Sequence, residues 1–92
     1  MHIGCPKEIK PQEFRVGLTP NAAHEAVVNG HKVSIETNAG LGAGFTDQDY
    51  INAGADIMGT ASEIFATADM IVKVKEPQAV ERKMLREGQI LF

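Results

Sequence analysis

Five short apolar runs, alternating with stretches that carry helix-start and helix-stop signals, constrain this chain more than any other feature. The runs are His2–Cys5, His31–Glu36, Ala55–Met58, Met70–Lys75 and Gln89–Phe92. Each is of strand length, and Pro6, Pro77 and glycines punctuate the chain between them. Between them lie helical segments. Thr19-Pro20 opens the first, with Thr as N-cap and Pro pre-set for the first turn. Ala23, Ala26 and Val27 form its apolar face, and Gly30 is placed to end it. Thr46 with Asp49 resembles a capping box for a short second helix closed by Gly54, and Thr60 with Glu63 reads as a better one. Ile64, Phe65 and Ala68 line that third helix. A fourth is predicted over Gln78–Glu87, carrying Val80, Met84 and Leu85, with Gly88 as its stop. Strands separated by helices need crossovers, which predicts an α/β fold: a largely parallel sheet flanked by helices, Rossmann-like or flavodoxin-like. The last run is an apolar strand with no turn after it. Residues 1–92 are therefore expected to be one incomplete domain, with Met1 a true start and Phe92 a boundary inside a longer protein.

Composition narrows the partners. The 92 residues are 43% hydrophobic and 23% charged with a net charge of −3, ordinary for a globular domain. A chain this long buries roughly 60–65% of its unfolded surface, enough for one small core. Lys and Arg are scattered, so neither nucleic acid nor a membrane surface is expected as a partner. No apolar stretch approaches the ~20 residues of a bilayer span, and the first residues lack the pattern of a secretory signal. The single cysteine, Cys5, precludes an intrachain disulfide and reads as a small core residue, which fits a cytoplasmic setting.

Ligands of open parallel sheets gather beyond the carboxyl ends of the strands. Three features fall there: the charged loop Lys7–Leu18 with Arg15, the glycine-rich loop Thr37–Phe45, and Lys75 at the expected end of the fourth strand. Arg15 offers a planar fork for a carboxylate and Lys75 a compact second cation, a pair suited to a small α-amino or α-keto acid. Spacing alone favours a plainer reading, in which Arg15 is a solvated loop charge and Lys75 a strand-end residue with its ammonium in water. Gly40-Leu41-Gly42-Ala43-Gly44 is not a dinucleotide fingerprint: the third glycine comes one place early, Phe45 holds its position, and four residues part it from Glu36. A cleft-rim loop is expected instead. His2, His24 and His31 have no metal-ligand spacing, so no metal is expected. Asp47 and Asp49 suit a helix N-terminus better than an acid pair.

Several segments nevertheless match a known pattern. Ile3-Gly4-Cys5-Pro6-Lys7-Glu8 and Glu13-Phe14-Arg15-Val16-Gly17-Leu18-Thr19-Pro20 resemble the N-terminal signature of alanine dehydrogenases and the related nicotinamide nucleotide transhydrogenase α-subunits. Ala39–Phe45 with Ala53-Gly54-Ala55, Ile71–Pro77 and Leu85–Phe92 continue the resemblance in register. It implies a substrate-binding domain in which Arg15 holds the substrate carboxylate and Lys75 helps hold alanine or pyruvate, overturning the plainer reading of both. Lys75 favours the dehydrogenase, since transhydrogenase subunits typically have a non-basic residue there. The implied reaction is reversible oxidation of L-alanine to pyruvate and ammonia with NAD. The resemblance places the catalytic histidine, and the whole nicotinamide-binding domain, beyond Phe92; residues 1–92 alone are expected to be inactive. It also implies a homo-oligomer, commonly a hexamer, while the 92-residue chain is expected to self-associate. Cys5 departs from the aliphatic residue common at its place. The alternatives are a transhydrogenase α-subunit domain and a non-enzymatic α/β binding module.

Overall fold

Ile3, Gly4 and Cys5 are all buried because β1 (His2–Cys5) runs through the middle of a sheet covered on both faces. The computed structural model describes residues 1–92. On one side β1 pairs in parallel with β2 (Lys32–Glu36), which pairs with β3 (Asp56–Met58). On the other it pairs with β4 (Met70–Ile71), which pairs with β5 (Ile90–Leu91). All four pairings are parallel, in the order β3-β2-β1-β4-β5. The α/β fold expected from the alternation is the fold observed. No helix is long and apolar enough to cross a membrane.

Period-two geometry divides the core into two layers. Ile3, Cys5, Val33 and Ile35 face α1 (Pro20–Val28) and α2 (Asp47–Asn52), which contribute Ala23 and Tyr50. On the opposite face Ile71 packs with Ile64, Phe65 and Ala68 of α3 (Ala61–Thr67), joined by Met84 and Leu85 after α4 (Ala79–Arg82). Gly4 lets α3 lie directly on β1. A Cβ there would sit 2.7 Å from both Ala68 Cβ and Ile64 Cγ2, closer than packed carbons tolerate.

Local signals behaved unevenly. Thr19 caps α1 by accepting from Ala22 N at 3.2 Å, and Gly30 follows with φ 90°. The Thr46/Asp49 box is complete in both directions. The Thr60/Glu63 box, expected to be the better of the two, is half formed. Thr60 accepts from Glu63 N, but the Glu63 carboxylate bonds the Thr60 hydroxyl rather than its backbone N–H. Ser34, between Val33 and Ile35 on β2, is buried beside His2, whose Nε2 lies 2.7 Å from its Oγ.

Two elements are shorter than expected, each because side chains take over backbone partners. The run Met70–Lys75 is ladder only at Met70–Ile71, with pairing carried slightly on by Val72 N to Gly4 O (2.9 Å) and Lys73 N to Phe92 O (3.2 Å). Beyond that, the N–H groups of Val74 and Lys75 turn to the Glu8 carboxylate instead of a neighbouring strand. The helix expected over Gln78–Glu87 spans only Ala79–Arg82. Arg86 and Gln89 fold beneath α3 and donate to the Phe65 and Ala68 carbonyls at 2.6–2.9 Å, satisfying acceptors its end leaves open. Tertiary capping of α3 outcompetes continuation of α4.

Candidate active-site cleft

The chain leaves β1 for β2 on one side and later returns to β4 on the other, so the strand order reverses between β1 and β4. That is the switch point at which open sheets form a crevice. Two segments emerge there: the loop Pro6–Leu18 after β1 and the segment Val72–Pro77 after β4. They touch at Gly17, where a Cβ would lie 2.6 Å from Val72 O.

Within the first loop, Glu13 organises Arg15. Its Oε2 accepts from Arg15 N (2.9 Å) and Nε (3.0 Å), and its Oε1 accepts from Nη2 at 2.9 Å. The Glu13 side chain is 6% exposed and that of Arg15 68%, so a sheltered carboxylate steers a guanidinium that faces solvent. Arg15 holds the Glu13 carboxyl down to about 2, and Glu13 in turn raises the Arg15 guanidinium. Lys75 Nζ stands 4.0 Å from the same Glu13 Oε1. Arg15 and Lys75, 60 positions apart in sequence by their numbering, thus line one open cleft of about 460 Å³ with Glu13 between them. At its lip Lys10 pairs with Glu76 at 2.9 Å, which holds the Glu76 carboxyl down to about 2.

Lys75 lies in the irregular segment after β4, not at a strand end. Lys73, two residues earlier, is shut away from the cleft. The Lys73 side chain is 2% exposed, with Nζ 3.2 Å from Glu8 Oε1 and 2.9 Å from Glu81 Oε2. The second contact lies off hydrogen-bond geometry and leaves that oxygen buried without a donor. Glu81 Oε1 accepts from Gln78 N at 2.9 Å, and Glu8 accepts from Val74 N at 3.0 Å and Lys75 N at 3.3 Å. Glu8, Glu13, Lys73 and Glu81 were missed as site residues. The signal present in the sequence was a lysine inside the apolar run Ile71–Val74, which has to find a buried anion if the run is interior.

The glycine-rich loop forms the rim of an adjoining hollow of about 250 Å³ that Arg15 and Phe14 share. Its glycines serve close packing. A Cβ at Gly40 would lie 2.7 Å from the Tyr50 ring and one at Gly42 2.9 Å from Phe14 O, while Gly44 has φ 90°. Tyr50 donates to Leu18 O at 2.6 Å, tying this side to the end of the first loop. Burial raises its hydroxyl well above its ordinary value. Cys5 is fully buried beneath the site and its thiol is pushed up to about 11 by burial.

Residues 4–92 match the family model described as alanine dehydrogenase/PNT, N-terminal domain. The chain belongs to this family. Among curated relatives it is 55% identical over its full length to alanine dehydrogenase of Methanococcus maripaludis and 49% identical to that of Mycobacterium tuberculosis. It spans 25% of each, a quarter of the length of the relatives it matches. A solved L-alanine dehydrogenase superposes with TM-score 0.96 at 52% identity, over 99% of this chain and 25% of that one. A transhydrogenase from Sinorhizobium meliloti superposes at 0.92 with 36% identity, over 99% of this chain and 26% of that one. The family resemblance carried by the sequence motifs is borne out.

Proposed function

We propose that the protein containing this chain is an L-alanine dehydrogenase and that these residues supply its grip on the substrate carboxylate. The reaction converts L-alanine, NAD and water to pyruvate, ammonium, NADH and a proton, and runs in both directions. The observation that carries the reading is the meeting of Arg15 and Lys75 at Glu13, in the crevice where the strand order reverses. Glu13 occupies the Nε and Nη2 edge of Arg15, so the Nη1 edge remains for a carboxylate. Lys75 brings a second positive charge to the same space, where it can polarise a keto oxygen or hold the second carboxylate oxygen. Both cations act by fixing the reacting carbon in place, which removes orientational freedom before chemistry begins.

The glycine-rich loop does not have the spacing of a dinucleotide fingerprint, and Gly40 and Gly42 pack closely on Tyr50 and Phe14. The reading assigns NAD, and the proton-transferring histidine, to other parts of the protein. No metal enters it. It also takes the protein to be cytoplasmic and homo-oligomeric. Lys75 and the higher identity to dehydrogenases than to the transhydrogenase support it over the transhydrogenase alternative.

The test is Lys75→Ala in the full-length protein, assayed in both directions. Turnover is expected to fall and the KM for pyruvate to rise, with the KM for NAD unchanged. The isolated 92-residue chain is expected to produce no NADH from alanine. Weakened NAD binding with an unmoved pyruvate KM would overturn the assignment.

A further inference from the structure

We propose that Glu8, locked in place by Lys73 and Glu81, is a positioning residue for Lys75. The inference rests on the reading of Lys75 as a substrate-binding residue. Beyond Lys73, whose N–H is the last to reach the neighbouring segment, the chain carrying Lys75 has left the sheet, so no strand fixes its backbone. The two successive N–H groups that would otherwise join a ladder, those of Val74 and Lys75, donate to one carboxylate, that of Glu8, at 3.0 and 3.3 Å. Glu8 comes from the loop that also carries Glu13 and Arg15. A single side chain therefore sets the position of the Lys75 backbone relative to the Arg15 loop.

The charge on Glu8 explains the rest of the cluster. A neutral acceptor could hold two amides; a buried carboxylate also needs a cation. Lys73 Nζ supplies it at 3.2 Å, and its second carboxylate contact, 2.9 Å to Glu81, reaches into α4. Glu81 Oε1 meanwhile accepts from the N–H of Gln78, the residue that opens α4. The loop after β1, the segment after β4 and the start of α4 are thus pinned at one point. Buried ion clusters contribute little net stability compared with a well-packed apolar alternative, because desolvation offsets their attraction. What this cluster supplies instead is direction: hydrogen bonds of fixed geometry on both sides of Lys75. Lys73 itself is shut away from the cleft at 2% exposure, so its role is to hold Glu8 rather than to touch substrate.

The experiment uses the full-length protein with Glu8→Gln, which keeps the shape but loses the charge, and Glu8→Asp, which keeps the charge but withdraws the carboxylate by one methylene. Lys75→Ala is assayed in parallel, and all rates are referred to folded protein measured by NADH binding. Both Glu8 variants are expected to raise the pyruvate KM, or lower kcat/KM for pyruvate, roughly tenfold or more, as a displaced positioning group does. The KM for NAD stays within about twofold, inside the error of comparing variants. A purely structural cluster would lower Tm and the yield of folded enzyme but leave the pyruvate KM of the folded fraction unchanged. A KM raised by Lys75→Ala but unmoved in both Glu8 variants overturns this inference alone. A KM unmoved by Lys75→Ala overturns the proposed function and this inference with it.

Discussion

Arg15 shows how a surface cation acquires a fixed direction. Its guanidinium is exposed, yet it donates two hydrogen bonds to the sheltered Glu13 carboxylate, and the Arg15 backbone N–H donates a third. Removing it in the full-length protein, by Arg15→Ala, is expected to weaken pyruvate binding by about 1.5–3 kcal/mol, the range for hydrogen bonds to a charged group. Its exposure in this domain argues against the larger loss of a fully buried ion pair. Steady-state KM values with pyruvate and NAD check it, and a change confined to NAD would contradict it. Glu13 gives an independent handle. Its carboxyl is lowered from 4.5 to about 2 by Arg15, so the folded form binds its proton less readily than the unfolded chain does. What the pair contributes to folding is therefore complete above the ordinary carboxylate value and lost as pH falls toward 2. Carbon-13 titration of the Glu13 carboxyl should give a midpoint near 2 in the wild type. Arg15→Ala should return it toward 4.5. An unshifted wild-type midpoint would mean that the Arg15 fork is not held in solution.

Secondary-structure elements here are bounded as much by side chains as by propensity. β4 stops at Ile71 because Glu8 captures the next free amides, and α4 stops at Arg82 while Arg86 and Gln89 cap α3. Neither boundary was legible in a window of neighbouring residues, since each depends on a partner distant in sequence. The starts of α1 and α2 were legible, because Thr19 and Thr46 act on amides within three residues. Stability should reflect the same contrast. Thr19→Ala should cost about 1 kcal/mol, the loss of one cap. Lys73→Met should cost about 3–5 kcal/mol, because two buried carboxylates then face each other without a cation. Gly17→Ala should fall between, about 1–3 kcal/mol, since a Cβ 2.6 Å from Val72 O forces the first loop off the end of β4. Urea unfolding of the three variants gives the ranking. A Lys73→Met variant as stable as the wild type would show that the cluster is hydrated or open in solution.

At the scale of the molecule the two sheet edges differ. β3 begins with the exposed charge of Asp56, whereas β5 offers Ile90, Leu91 and an 80% exposed Phe92 on the outer side of β4. An apolar, unpaired edge is a template for another strand. The 92-residue chain is therefore expected to sediment as a dimer or larger species at micromolar concentration, and Leu91→Lys to shift it toward monomer. A monomer in the unsubstituted chain across that range would show that this edge does not pair. The sequence by itself determined the class of fold and the number and order of elements, because hydrophobic period, caps and glycine stops act within a few residues. It also placed Arg15 and Lys75 at the carboxyl edge of the sheet, and its motifs carried the family. It left open which strands are neighbours, where β4 and α4 end, and why Lys73 and Lys75 part company. Only the tertiary structure decided these. Each turns on a hydrogen bond or ion pair between residues tens of positions apart, such as Glu8 with Lys73, Val74 and Lys75. Such partners are chosen by proximity in the folded chain, and no local pattern records them.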